Sequence, residues 1–136
     1  MKPLEHARLI AEQMWELNHA TAGPQGYEWP GELDEVLAEL RLMALRLEQA
    51  LDQARTWLIR AHAAGRVGHD GLRVPATTDT DLNAVVERAS FLIREASVRS
   101  EWLAVDLSEV RSVTTRLMGL QRSTGMQPPT TEDESE

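Results

Sequence analysis

The residues that come closest to a metal-binding pattern are Glu16 and His19, three positions apart near the end of the first predicted helix. A Glu and a His at this spacing form half of the di-iron site found in carboxylate helix bundles. The complete site needs a second Glu-x-x-His, and neither Glu87 nor Glu95 is followed by His at that spacing. A His at the end of a helix is expected to interact with the helix dipole or with solvent. The sequence therefore predicts no metal site here.

A second acidic cluster, formed by Glu32, Glu35 and Glu39, resembles the acidic helix of the all-helical nucleotide pyrophosphohydrolases, which bind magnesium. Their second acidic motif is absent, because Asp106 and Glu109 stand in the reverse order. No HExxH spacing, nucleophile elbow or glycine-rich phosphate loop is present. We therefore expect a protein that is not an enzyme, with no catalytic, cofactor-binding or metal-binding residue. A metal-dependent helical enzyme of either kind is one alternative.

The composition of the chain limits the classes of function that remain. The chain has 136 residues, no Cys and a net charge of −8. An acidic chain without a dense basic patch is a poor candidate for nucleic-acid binding, since phosphate contacts dominate that affinity. No apolar run approaches the length of a membrane span, and the N-terminal residues lack the apolar region of a signal peptide. We expect a cytoplasmic protein that binds neither nucleic acid nor membrane.

Apolar periodicity predicts two helices in the first half of the chain. The first helix covers about residues 3–20 and ends in the Gly- and Pro-containing stretch 21–26. The second begins at Pro30 and ends at Gly65. Its apolar residues alternate four and three positions apart, beside a second stripe at seven-residue spacing, as expected for a helix in a bundle. The main seam is Leu33, Leu37, Leu40, Ala44, Leu47, Leu51, Ala54, Leu58 and Ala61.

The third predicted helix covers about residues 80–122 and follows a capping-box-like start at Thr78 and Asp81. The predicted fold is all-α, a three-helix antiparallel bundle of one short and two long helices in residues 1–122. Residues 123–136 are expected to form a disordered acidic C-terminal tail. The apolar seam predicted for the third helix is Leu82, Val85, Ala89, Leu92, Ala96, Leu103, Val110, Val113, Leu117 and Leu120.

Two charged residues, Arg99 and Asp106, interrupt this seam seven positions apart. In an antiparallel pairing with the second helix, Arg99 is expected near Glu48 and Asp106 near Arg41. Structural ion pairs that fix the register are the favoured interpretation, because that is the best-supported use of buried polar pairs. A polar ligand pocket is the alternative.

The triplet Trp29-Pro30-Gly31 resembles the central turn of the small secreted helical hairpins of the WXG type. In that family the triplet joins two long helices, whereas here the helix before it is short. The family's YxxxD/E secretion signal is also missing, since Tyr27 is followed four positions later by Gly31. The triplet is better interpreted as a helix start, and a WXG-like helical protein secreted without a signal peptide is the first alternative function.

A wider resemblance covers about residues 10–120. The segments "ELNHAT", "YEWPGELDEVLAEL", "RLEQALDQ" and "AGRVGHD" are similar to loose motifs in a family of small uncharacterised helical proteins from GC-rich Gram-positive bacteria. The resemblance implies a helical-bundle architecture. It implies no activity.

The bundle is expected to leave one apolar groove open. The short first helix can cover only the start of the second helix and the later part of the third. We therefore predict a non-catalytic interaction module, a homodimer or the receptor of a helical protein partner. An internal alternative is that Leu72, Val74 and Pro75 fold over the groove. The predicted interface residues are Ala50, Trp57, Ala61, Val86, Phe91 and Ile93.

Overall fold

The computed structural model describes residues 1–68 and 78–125. It contains three α-helices: α1 (Pro3–Ala20), α2 (Pro30–Ala63) and α3 (Thr78–Gly125). No strand occurs in these two ranges. The all-α prediction, with one short and two long helices, is confirmed. The predicted covering segment with Leu72, Val74 and Pro75, and most of the predicted tail, lie outside the described residues.

Helix α2 begins where the sequence predicts. Pro30 is its first residue, where the missing N–H costs no helical hydrogen bond. The backbone N–H of Glu32 donates to the Trp29 carbonyl at 3.0 Å, and the Glu32 carboxylate accepts the Glu28 N–H at 2.6 Å. The Trp-Pro-Gly triplet thus builds a capped helix start.

The other end of α2 is closed by a Schellman motif at Gly65, which has a φ of 72°. The N–H of Arg66 donates to the Ala61 carbonyl at 2.9 Å, and the N–H of Gly65 donates to the His62 carbonyl at 3.0 Å. This pair of bonds requires a left-handed residue after the helix, and glycine adopts that conformation without a Cβ clash.

The chain forms two compact units, one of residues 37–112 and one of residues 1–36 with residues 113 onward. In the first unit α2 and α3 pack antiparallel. The Arg41 side chain donates to Ser108 Oγ at 2.6 Å, and the Arg55 side chain donates to Ser90 Oγ at 3.0 Å. A higher residue number on α2 therefore pairs with a lower residue number on α3, which confirms the predicted antiparallel pairing of the long helices. We call the described part of this unit the hairpin.

The second unit contains α1, the first turns of α2 and the last part of α3. Helix α1 has no fully buried residue, and only Met14 and Leu17 are half-buried within it. Asp34 and Thr114 are buried in this unit, and the Thr114 hydroxyl donates to the Asp34 carboxylate at 2.7 Å.

The residues buried in the structure are small. The apolar ones are Ala44, Ala61, Val86 and Ala104, and the polar ones are Asp34, Ser90, Ser97, Ser100 and Thr114. The core seam predicted for α3 is therefore wrong. Small side chains allow two helices to approach closely, so the buried positions of α3 form a stripe of small residues, and its larger apolar side chains that the structure describes are half-buried or exposed. The members of the predicted seam that lie exposed are Val85, Leu92, Leu103, Val110, Val113 and Leu117.

Candidate interaction surface

The contact face of the hairpin is held by serine hydroxyl groups. Ser100 Oγ donates to the Ala44 carbonyl at 2.6 Å, one helix to the other. Ser97 Oγ lies 2.9 Å from the Asp52 carboxylate and 3.3 Å from the Glu48 carbonyl. Buried polar groups are tolerated when they are hydrogen-bonded. These serines therefore allow the two helices to approach closely while their hydroxyl groups keep hydrogen-bond partners.

The end of this face nearest the end of α2 carries a histidine. His62 Nε2 lies 2.6 Å from Asn83 Oδ1, so this ring nitrogen donates to the amide carbonyl. The other ring nitrogen, Nδ1, is buried and has no hydrogen-bond partner among the described residues. The contact therefore closes this end of the hairpin with one hydrogen bond between its two helices.

The geometry of the helices decides what lies beside the contact face. Each residue turns about 100° around the helix axis, so the residue directly before a contact position points to one side of the face. Because α2 and α3 run in opposite directions, that is the same side of the hairpin for both helices. Trp57 precedes Leu58 on α2 and Leu103 precedes Ala104 on α3, so their side chains share this side.

This side of the hairpin, which we call the apolar flank, carries exposed apolar residues along both helices, with Arg99 and Asp106 among those of α3. Trp57 is 59 % exposed and Leu103 is 48 % exposed. Exposed apolar residues gathered on one side of a helix pair indicate an interaction site, since monomeric proteins rarely keep large contiguous apolar patches. The exposed apolar members of the flank are Leu47, Ala50, Ala54 and Trp57 on α2, and Val85, Leu92, Leu103 and Val110 on α3.

The opposite side of the hairpin also carries apolar residues, interleaved with charged ones. Ile59 on α2 and Val105 on α3 are exposed there. The Arg88 guanidinium lies 6.0 Å from the centre of the Phe91 ring, at the outer limit of a cation–π contact. This side is therefore less uniformly apolar than the apolar flank.

The six predicted interface residues fall into three environments. Ala50 and Trp57 lie exposed on the apolar flank. Ala61 and Val86 are buried between α2 and α3, and Ile93 is half-buried on the same contact face. Phe91 is exposed on the opposite side of the hairpin. The structure therefore does not bring the six together on one surface.

The ion pairs predicted from Arg99 and Asp106 are absent from the described part of the chain. Both residues are exposed, and the Arg41 side chain donates to Ser108 in place of Asp106. The predicted register is close, since Ser108 is only two residues beyond Asp106. The two side chains point along the apolar flank and not toward α2, because Arg99 directly precedes the contact position Ser100 and Asp106 directly precedes the half-buried Leu107.

A shallow groove of about 760 Å³ runs along α2 and is lined mostly by polar residues. Both signs of charge are present in it, from Glu48 and Asp52 on one hand and Arg60 and Arg66 on the other. Because acidic and basic side chains both line the groove, its charge favours neither anionic nor cationic ligands. The remaining lining residues are Leu45, Gln49, Gln53, Thr56 and Trp57.

The residues singled out for metal chemistry are separated in the structure. His19 interacts within its own helix: its Nδ1 lies 3.0 Å from the Trp15 carbonyl, and its ring centre lies 3.7 Å from that of Trp15. Among the described residues, no three His, Asp or Glu side chains come together as metal ligands. In the same ranges, no helix is long and apolar enough to cross a membrane.

The sequence contains a signal for the contact face that apolar periodicity missed. Ser90, Ser97, Ser100 and Ala104 are small residues at spacings of seven, three and four, which places them on one face of a helix. Comparison of the chain with protein-family models, curated proteins and solved structures gave no match. The geometry of the hairpin is thus the basis for a functional proposal, and the family resemblance stays a prediction.

Proposed function

We propose that this protein is a non-catalytic interaction module that self-associates, in the cytoplasm, through the apolar flank of its α2–α3 hairpin. The observation that carries the proposal is the exposure of Trp57, Leu103 and their neighbours beside a contact face that is already complete. The hydrogen bonds between α2 and α3 are made by other side chains. The large apolar residues are therefore available to a partner.

Burial of the flank would supply the free energy of association. Removing apolar surface from water stabilises by about 25 cal/mol per Å², and complete burial of one large side chain contributes about 1.5–3 kcal/mol. Several such side chains lie side by side on both helices. A second hairpin placed face to face on the first gives a four-helix arrangement, a common way to bury two adjacent apolar stripes.

The test compares residues on the two sides of each helix. Trp57→Glu places a charge on the flank, whereas Ile59→Glu places the same charge two residues later on the opposite side of α2. Leu103→Glu and Val105→Glu form the equivalent pair on α3, with starting exposures of 48 % and 45 %. Molar mass by light scattering at micromolar concentration is the measurement, with far-UV circular dichroism to confirm folding.

Wild type is expected to be a dimer. Trp57→Glu and Leu103→Glu are expected to be folded monomers, and Ile59→Glu and Val105→Glu are expected to remain dimers. A wild type that stays monomeric at high micromolar concentration would contradict the proposal. If Trp57→Glu also unfolded such a monomer, the segment with Leu72, Val74 and Pro75 would be the covering element instead.

A further inference from the structure

Two opposite charges lie within the apolar flank of α3. Arg99 and Asp106 are exposed, and neither has a hydrogen-bond or ion-pair partner among the described residues. They belong to a stripe whose members alternate four and three positions apart along the helix. In chain order the stripe is Val85, Ala89, Leu92, Ala96, Arg99, Leu103, Asp106 and Val110.

A partner that covers this stripe must also accept the two charges. An ion that is buried without an opposite charge loses its hydration with no compensating interaction, which weakens association. The partner surface must therefore be apolar and must offer an acid opposite Arg99 and a base opposite Asp106. The same stripe on a second copy of this chain has this composition.

We infer that two copies of the chain pack through their apolar flanks with their α3 helices antiparallel, so that Arg99 of each copy pairs with Asp106 of the other. This inference rests on the proposed function and adds the identity and direction of the partner surface. A two-fold axis then passes near Leu103. In such a two-fold interface each contact occurs twice, which doubles the effect of one substitution.

Other arrangements of the two flanks leave the charges unpaired. Parallel α3 helices place Arg99 against Arg99 and Asp106 against Asp106. Packing α3 of one copy on α2 of the other places both charges against Leu47 and its neighbours, since the α2 stripe contains no charged residue from Val36 to Ala61. The antiparallel pairing of α3 with α3 is the arrangement that matches charge with charge.

Charge reversal tests this pairing. Arg99→Asp and Asp106→Arg are each expected to raise the dimer dissociation constant at least about tenfold, because like charges then meet twice in one interface. The double variant is expected to restore the wild-type constant to within about threefold, since it exchanges the two partners. Arg94→Asp is the matched control, as Arg94 is exposed on the side of α3 that faces away from the flank. Sedimentation equilibrium gives the constants.

Helix direction is tested separately, in a chain whose lack of cysteine allows single spin labels. Glu87 lies about 24 Å along α3 from Leu103 at ~1.5 Å per residue. Antiparallel copies therefore separate labels at Glu87→Cys by about 50 Å or more, while labels at Val105→Cys stay much closer. Parallel copies give similar distances at both positions.

The outcomes separate the inference from the proposed function. A monomeric wild type overturns both. A dimer that Leu103→Glu dissociates, but in which charge reversal has no effect or the double variant does not restore the wild-type constant, overturns the inference alone. Equal label distances at Glu87 and Val105 in such a dimer also overturn it. Rescue by the double variant together with the long Glu87 distance supports the inference.

Discussion

The Ser100 hydroxyl donates to the Ala44 carbonyl at 2.6 Å across the two long helices, and both residues are almost completely buried. The Ala44 carbonyl belongs to helical backbone, so this bond joins a side chain of α3 directly to the main chain of α2. Such a bond requires a small side chain at each end. The residue at position 100 must therefore be small and must also donate a hydrogen bond.

Substitutions at Ser100 are expected to separate these two effects. Ser100→Ala keeps the size and removes the hydroxyl, and should lower the free energy of unfolding by about 1 kcal/mol. Ser100→Leu adds volume where the helices meet, and should cost about 2–3 kcal/mol. Urea denaturation followed by circular dichroism measures both. A Ser100→Leu variant as stable as wild type would show that the helices do not approach closely at this point.

The ends of the helices could be predicted from the sequence because single residues determine them. Pro30 can start a helix without losing a hydrogen bond, and Gly65 can take the positive φ that ends one. Helix α3 begins at Thr78, within two residues of the predicted start near residue 80. Rules of this kind depend on a few neighbouring residues, so the helix ends can be predicted without knowledge of the rest of the fold.

The contact face of α3 could not be predicted by the same reasoning. Apolar periodicity assumes that the largest apolar stripe faces the core, and on α3 that stripe is real but lies on the flank. Ser97 and Ser100 count as polar in such a pattern, although each is buried and hydrogen-bonded to α2. Which stripe is buried depends on how closely the helices approach, and this is a property of the pair of helices.

A buried hydrogen bond in the other compact unit gives a second prediction. Thr114→Val keeps the shape of the side chain and removes the hydroxyl that donates to the Asp34 carboxylate. The carboxylate stays buried with one partner fewer, so the variant should lose about 1–3 kcal/mol of stability. Ser112→Ala is the control, because its exposed hydroxyl donates to the nearby Glu109 carbonyl, within its own helix. Equal stability of the two variants in urea denaturation would contradict this role for Thr114.

The Schellman motif at the end of α2 gives a third prediction. Gly65→Ala forces a Cβ into a residue with a φ of 72°, which should cost about 1–2 kcal/mol. Gly68→Ala is the matched control, since a Cβ there meets no atom within 4 Å among the described residues and its φ is not positive. The control should change stability by no more than about 0.5 kcal/mol. Thermal melts of the two variants under identical conditions give the comparison, and similar midpoints would rule out strain at Gly65.

The tryptophans report on association. Trp57 is 59 % exposed on the apolar flank and Trp102 is 62 % exposed on α3, outside the stripe that forms the flank. Transfer of an indole ring from water to an apolar surface shifts its emission to shorter wavelength. On dilution from high to low micromolar concentration, the emission of wild type is therefore expected to shift to longer wavelength as Trp57 becomes hydrated.

Trp57→Phe should lose this dependence on concentration while it remains a dimer, because phenylalanine keeps the apolar contact. Trp102→Phe should retain the dependence. If the dependence persisted in Trp57→Phe and was lost in Trp102→Phe, association would bury Trp102 and not Trp57.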